Sequence, residues 1–189
     1  MKQHFTRLVC ASLLFAGLST NAAKKPLEIQ KIQESKLSVI PRPMSFIANK
    51  NEASFLLNAK TQITADSGLS NETQYLERLI KKAFAKADSS KTNQISLKLD
   101  KSLAKEAYKL SIKGNRIDIS GGDSAGIFYG IQTLRQMMPV DLAFGKVKTK
   151  AVAAEIRAAK IEDKPLTQWR GVMVDSARHF QPKAFIKKF

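Results

Sequence analysis

Apolar positions recur along this chain with two different periods, and the changes of period mark out its elements. Ser54 to Leu57 and Gln62 to Ala65 are short apolar-rich runs separated by Asn58-Ala59-Lys60, the pattern of strand, turn and strand. Leu76, Leu79, Ile80, Ala83, Phe84 and Ala87 then recur at helical spacing. Ser70 or Asn71 can cap this helix, and Glu72 falls in its first turn, where the helix dipole favours a carboxylate. After a polar turn over Asp88 to Asn93 the period drops to two: Ile95, Leu97 and Leu99 alternate with Ser96, Lys98 and Asp100. Tyr108, Leu110 and Ile112, and then Ile117 and Ile119, continue that alternation on either side of Gly114-Asn115, where a left-handed backbone costs little. These strands are expected in an antiparallel sheet with one covered face. Gly121-Gly122-Asp123-Ser124 ends the last of them and opens a second helix, whose stripe is Ile127, Phe128, Ile131, Leu134, Met137 and Met138, stopped by Pro139. The pattern predicts an α+β domain over residues 38–139, an antiparallel sheet with two helices on one face.

The flanks read differently. Lys24 to Lys36 is charged and weakly patterned, a short helix or a tether, and Val39-Ile40-Pro41-Arg42-Pro43 fixes an extended entrance to the domain. Residues 140–165 read as a connector, with an alanine-rich stretch from Ala151 to Ala159. Trp169-Arg170-Gly171-Val172-Met173-Val174-Asp175 has the continuous apolar run of a strand buried on both faces. Pro182 fits the start of a helix carrying Phe185, Ile186 and Phe189.

Residues 1–23 are set apart as an export signal: Lys2, His4 and Arg7 precede an apolar run from Leu8 to Leu18, followed by small residues up to Ala23. The run is shorter than the roughly 20 residues needed to span a bilayer, so no stable membrane insertion is expected. The expected location is periplasmic or extracellular. The sole cysteine, Cys10, lies within this segment, which leaves a processed chain without a disulfide, a thiolate nucleophile or a cysteine-based metal site. The formal net charge is +16. Lysines such as Lys98, Lys101, Lys105, Lys109 and Lys113 are nevertheless spread among apolar positions, as on a solvated basic surface, and no nucleic-acid partner is expected.

Two segments resemble family 20 β-N-acetylhexosaminidases. One is the small domain, entered by Val39-Ile40-Pro41-Arg42-Pro43 and closed by Gly121-Gly122-Asp123-Ser124-Ala125-Gly126-Ile127-Phe128-Tyr129-Gly130-Ile131-Gln132-Thr133-Leu134. The other is Trp169-Arg170-Gly171-Val172-Met173-Val174-Asp175-Ser176-Ala177-Arg178-His179-Phe180, similar to the opening strand of that family's catalytic barrel. The resemblance implies an accessory α+β domain followed, at residues 166–189, by the first βα unit of an incomplete (β/α)₈ barrel. A whole barrel takes about 250 residues. It also implies an exo-acting hydrolase that removes terminal non-reducing N-acetylhexosamine from glycans or chitooligosaccharides. In such enzymes the substrate's own acetamido oxygen attacks the anomeric carbon, with a Glu as acid and a neighbouring Asp orienting the acetamido group.

The resemblance assigns substrate binding to Arg178, beyond Asp175 at the carboxyl end of the first strand, where barrel sites are built. Its guanidinium carries five donors in a rigid fork, suited to two adjacent hydroxyls. Asp175 is read as a supporting residue that orients Arg178 or pairs with another barrel group. Arg170, at the strand's other end, is read as structural, as is His179, which lacks the second His or Cys a metal site needs. Trp169 is assigned to packing. No cofactor and no metal is assigned. No catalytic residue is assigned either, because no Asp or Glu follows Asp175, and these 189 residues are expected to be inactive alone. The competing reading is a secreted basic module that binds glycan, cell wall or an anionic surface without catalysis. Neither reading specifies an oligomeric state, or N-acetylglucosamine over N-acetylgalactosamine.

Overall fold

The computed structural model describes residues 29–30, 39–84, 93–143 and 153–187. In chain order the elements are β1 (Ile29–Gln30), β2 (Ser45–Ala48), β3 (Phe55–Asn58), β4 (Gln62–Ala65), α1 (Ser70–Ala83), β5 (Gln94–Leu99), β6 (Tyr108–Ile112), β7 (Arg116–Gly121), α2 (Ser124–Met137), α3 (Val140–Ala143), β8 (Ala153–Ile156), β9 (Ala159–Asp163) and α4 (Lys183–Ile186). The export signal expected over residues 1–23, together with Ala87 and Phe189, lies outside the described residues.

Alternation along the strands becomes continuous rows across a six-stranded sheet of order β2-β9-β6-β7-β5-β4. Cross-strand partners share a face. One row runs Ile63, Ile95, Ile117, Ile112, Ala159, Ala48, and the next runs Ala65, Leu97, Ile119, Leu110, Ile161, Phe46. The opposite face carries Ser96, Asp118, Ser111 and Lys160. Helix α2 lies against β5, β6 and β7, and α1 packs beside it and against β4. A smaller sheet, β1-β8-β3, adds Phe55, Leu57, Ala154 and Ile156 to the same core.

The sheet is mixed, which corrects the antiparallel expectation. β6 pairs antiparallel with β7 and β9, but β7 with β5 and β5 with β4 are parallel. Two connections cause this. Helix α1 is the crossover that returns the chain from β4 to β5 in the same direction, as parallel neighbours require. The β6–β7 hairpin lays β7 between β6 and β5, so β7 runs with β5. The hairpin closes on Lys113 and Arg116, which bond each other's backbone at 2.9 and 3.4 Å. Among the described residues Glu106 is the one non-glycine with positive φ, so Asn115 does not take the left-handed conformation expected of it. Its carbonyl accepts instead from Gln94 N at 3.2 Å, at the start of β5.

Other expectations change at the elements' ends. Leu69, 1% exposed, is the N-cap of α1, and burying it leaves Ser70 as the first helical residue rather than the cap. The stretch 140–165 is not a plain connector, since α3, β8 and β9 lie within it and the two strands complete both sheets. β2, which follows the cis Ile40–Pro41 bond and Pro43, had no periodic signal. Residues 171–180 join no strand and are exposed throughout. A parallel barrel strand is hydrogen-bonded on both sides by its neighbours, and the described residues provide none at this position. Trp169 does not pack as assigned, being 92% exposed. Helix α4 follows Pro182 as expected but is only four residues long.

Candidate functional site

The site is built outward from the N-terminus of α2. Asp123 caps this helix: its Oδ1 accepts from Gly126 N at 2.9 Å and from Glu106 N at 3.1 Å. One carboxylate oxygen thus joins the helix to the turn Ala104 to Ala107, which is closed by Ala107 N donating to Ala104 O at 3.1 Å. Two glycines make the approach possible. A Cβ on Gly122 would stand 2.1 Å from Ala104 O, and one on Gly126 would stand 2.3 Å from Ala107 O.

From this turn Glu106 meets the segment that leaves the domain. Its Oε1 accepts from Arg170 Nη2 at 2.7 Å and from Tyr129 OH at 3.2 Å, and the Arg170 guanidinium carbon lies 5.8 Å from the centre of the Tyr129 ring. Arg170 Nη1 also donates to Thr167 O. The Arg170 hydrogen bond holds the Glu106 carboxyl below the usual glutamate range, and Glu106 in turn pushes the Arg170 guanidinium up. A cleft of about 590 Å³ between domain and segment is lined by Lys105, Glu106, Asp123, Pro165 and Thr167 among others. Arg170 is thus bonded to the small domain through Glu106 and Tyr129, and not within a barrel strand.

At the far end of the segment Asp175 and Arg178 come together. Asp175 Oδ1 accepts from Ala177 N at 3.0 Å and Arg178 N at 3.3 Å, while Oδ2 pairs with Arg178 Nε at 3.1 Å. The pair occupies Nε of an arginine side chain that is 86% exposed. His179 is exposed. Among the described residues no group of three His, Cys, Asp or Glu is placed to hold a metal ion. No helix among them is long and apolar enough to cross a membrane.

Residues 36–164 match the profile described as glycosyl hydrolase family 20, domain 2. The chain belongs to that family. Its relatives include a β-hexosaminidase of Porphyromonas gingivalis, 27% identical over 191 residues, 95% of this chain and 24% of the relative. A β-hexosaminidase of Akkermansia muciniphila is 39% identical over 87 residues, 46% of this chain and 16% of the relative. Among solved structures, the family 20 β-N-acetylhexosaminidase of Streptomyces coelicolor superposes with a TM-score of 0.62 at 28% identity, covering 77% of this chain and 30% of that one. The exo β-N-acetylglucosaminidase of Vibrio harveyi in complex with N-acetylglucosamine gives 0.65 at 24% identity, a likeness of fold, covering 87% and 24%. The chain therefore spans a quarter or less of the first two relatives' length.

Within this family 20 chain, the sequence had singled out Asp175 and Arg178, had set Arg170 aside as structural, and had given no role to Glu106, Asp123 or Tyr129. Asp123, three residues before Gly126, carried a capping signal. Glu106 carried none, because its partner lies 64 residues away.

Proposed function

We propose that this chain supplies the accessory domain and the opening of the catalytic domain of an exported, exo-acting β-N-acetylhexosaminidase. The observation that carries the reading is the Asp175–Arg178 pair, at 3.1 Å, in a segment that directly follows the matched family 20 domain. Relatives named β-hexosaminidase, and an N,N'-diacetylchitobiase of Vibrio harveyi 42% identical over 77 residues, support the substrate class. In this reading Asp175 fixes the guanidinium by its Nε edge, and the Nη donors hold two adjacent hydroxyls of the terminal sugar. The acetamido oxygen of that sugar attacks the anomeric carbon, and a Glu outside residues 176–189, which contain neither Asp nor Glu, protonates the leaving oxygen. These 189 residues alone do not turn over substrate.

Two measurements test it. The purified chain releases no chromophore from a chromogenic N-acetylglucosaminide, and turnover abolished by Arg178→Lys would overturn the inactivity. In the corresponding whole enzyme, Arg178→Lys lowers kcat/KM about 10- to 150-fold, the loss of a charged hydrogen bond worth roughly 1.5–3 kcal/mol. An unchanged kcat/KM would remove Arg178 from the site. Export is tested by the N-terminus of the mature protein, expected just after Ala23.

A further inference from the structure

Glu106 is an unfavourable residue for its backbone position. At φ 61 it occupies the left-handed region, where glycine or asparagine is at ease and other residues are strained. The turn cannot relax around it. Asp123 holds the Glu106 amide, and the carbonyls of Ala104 and Ala107 press on Gly122 and Gly126, where no side chain fits. A glycine here would form the same turn without strain, yet it would lack the carboxylate that receives Arg170 Nη2 at 2.7 Å and Tyr129 OH at 3.2 Å. The side chain is therefore set at one point by a rigid support, and it receives the guanidinium of the residue from which the exposed segment 171–180 departs.

We propose that Glu106 is a positioning residue: through Arg170 it fixes the direction in which residues 171–178 leave the accessory domain, and with it the Asp175–Arg178 pair. Only the consequence for sugar binding rests on the reading of Arg178 given above; the clasp itself does not. Tyr129 completes the grip, its hydroxyl 3.1 Å from Arg170 Nη2 and its ring beside the guanidinium. Gly171 follows at once, and a Cβ built on it would meet nothing within 4 Å.

The test uses the 189-residue chain and two readouts. Heteronuclear ¹⁵N relaxation reports the order of the amides of residues 167–172, and fluorescence anisotropy of Trp169, the only tryptophan, reports the same segment independently. Glu106→Gln, Glu106→Gly and Arg170→Met each lower the ratio of docked to free segment by about twofold to fivefold, the range of a partly exposed ion pair. The Glu106→Gln/Arg170→Met double variant is no looser than either single variant, since both remove one contact. Glu106→Gly unfolds at the same or a higher urea concentration than the parent chain, which separates positioning from a role in folding. Unchanged order at 167–172 in Glu106→Gly, or a lower urea midpoint for it, would overturn the proposal. A titration with N-acetylglucosamine followed at the Arg178 amide keeps the two readings apart. No shift in the parent chain sinks the sugar-binding reading and leaves the clasp standing, whereas a shift with segment order unmoved by the Glu106 variants sinks the clasp alone.

Discussion

A methyl group at position 126 would stand 2.3 Å from the Ala107 carbonyl oxygen, a distance no structure accommodates without moving backbone. Alanine normally favours a helix interior over glycine by about 1 kcal/mol, so the sign of Gly126→Ala is decided by this collision. Overpacking of this kind costs about 1–3 kcal/mol, and the variant is expected to unfold at lower urea by that amount. Gly171→Ala, where nothing lies within 4 Å, leaves the midpoint unmoved and serves as its control. Asp123→Ala removes a helix cap and the bond to Glu106 N together, and a loss of about 1–2 kcal/mol is expected in the same denaturation measurement. Tyr108 marks a second buried polar point: its hydroxyl is 2.6 Å from Thr133 Oγ1, and burial pushes its ionisation up. These positions share a physical basis, since in each the identity of one side chain is dictated by backbone or by a buried partner brought close by the fold.

At the scale of elements, β9 decides where the domain ends. It lies between β6 and β2, with Ile161 paired to Leu110 on one side and Phe46 on the other. Removing it would expose Leu110 and Ile112, now 1% and 0% exposed, along a new sheet edge, and would leave β2 without its partner. A chain of residues 36–164 is therefore expected to unfold cooperatively in urea. One of residues 38–139 is expected to show no cooperative transition by circular dichroism, and a sharp transition from it would place the boundary before β8. What the sequence reveals at this scale follows from the length of each signal. Helices α1 and α2 display several apolar positions at a fixed spacing, and β6 and β7 alternate on either side of a two-residue turn. By contrast, β8 and β9 offer Ala153, Ala154, Ile156, Ala159 and Ile161, in which alanine carries little β signal. The parallel pairing of β5 with β7 was hidden for another reason, because alternation fixes which face a residue occupies but not which strand lies beside it. The Asp175–Arg178 pair was legible because its residues are three positions apart, whereas Glu106 and Arg170 meet only through the folded domain.

For the whole molecule, the charge of Glu106 links the conformation of the tail to pH. The groups facing it are Arg170 and Tyr129, which favour its ionised form, and Asp123, which opposes it. Lys105 and Lys164 line the cleft below. Binding of Arg170 lowers the Glu106 carboxyl in the docked state relative to the free one, so linkage gives the sign. Docking has its full electrostatic contribution above the ordinary glutamate pKa, and it loses that contribution as pH falls through the lowered value. Tail order, read from Trp169 anisotropy, should hold constant from neutral pH down to the ordinary glutamate range and then decline on further acidification. In Glu106→Gln the same titration should begin at the loosened level and show no step there. Salt acts in the same direction, because the clasp is partly exposed, its arginine and glutamate side chains being 37% and 29% accessible. Raising ionic strength at neutral pH should therefore loosen the tail in the parent chain while leaving Glu106→Gln nearly unaffected. An acid step of equal size in both proteins would assign the pH response to groups other than Glu106.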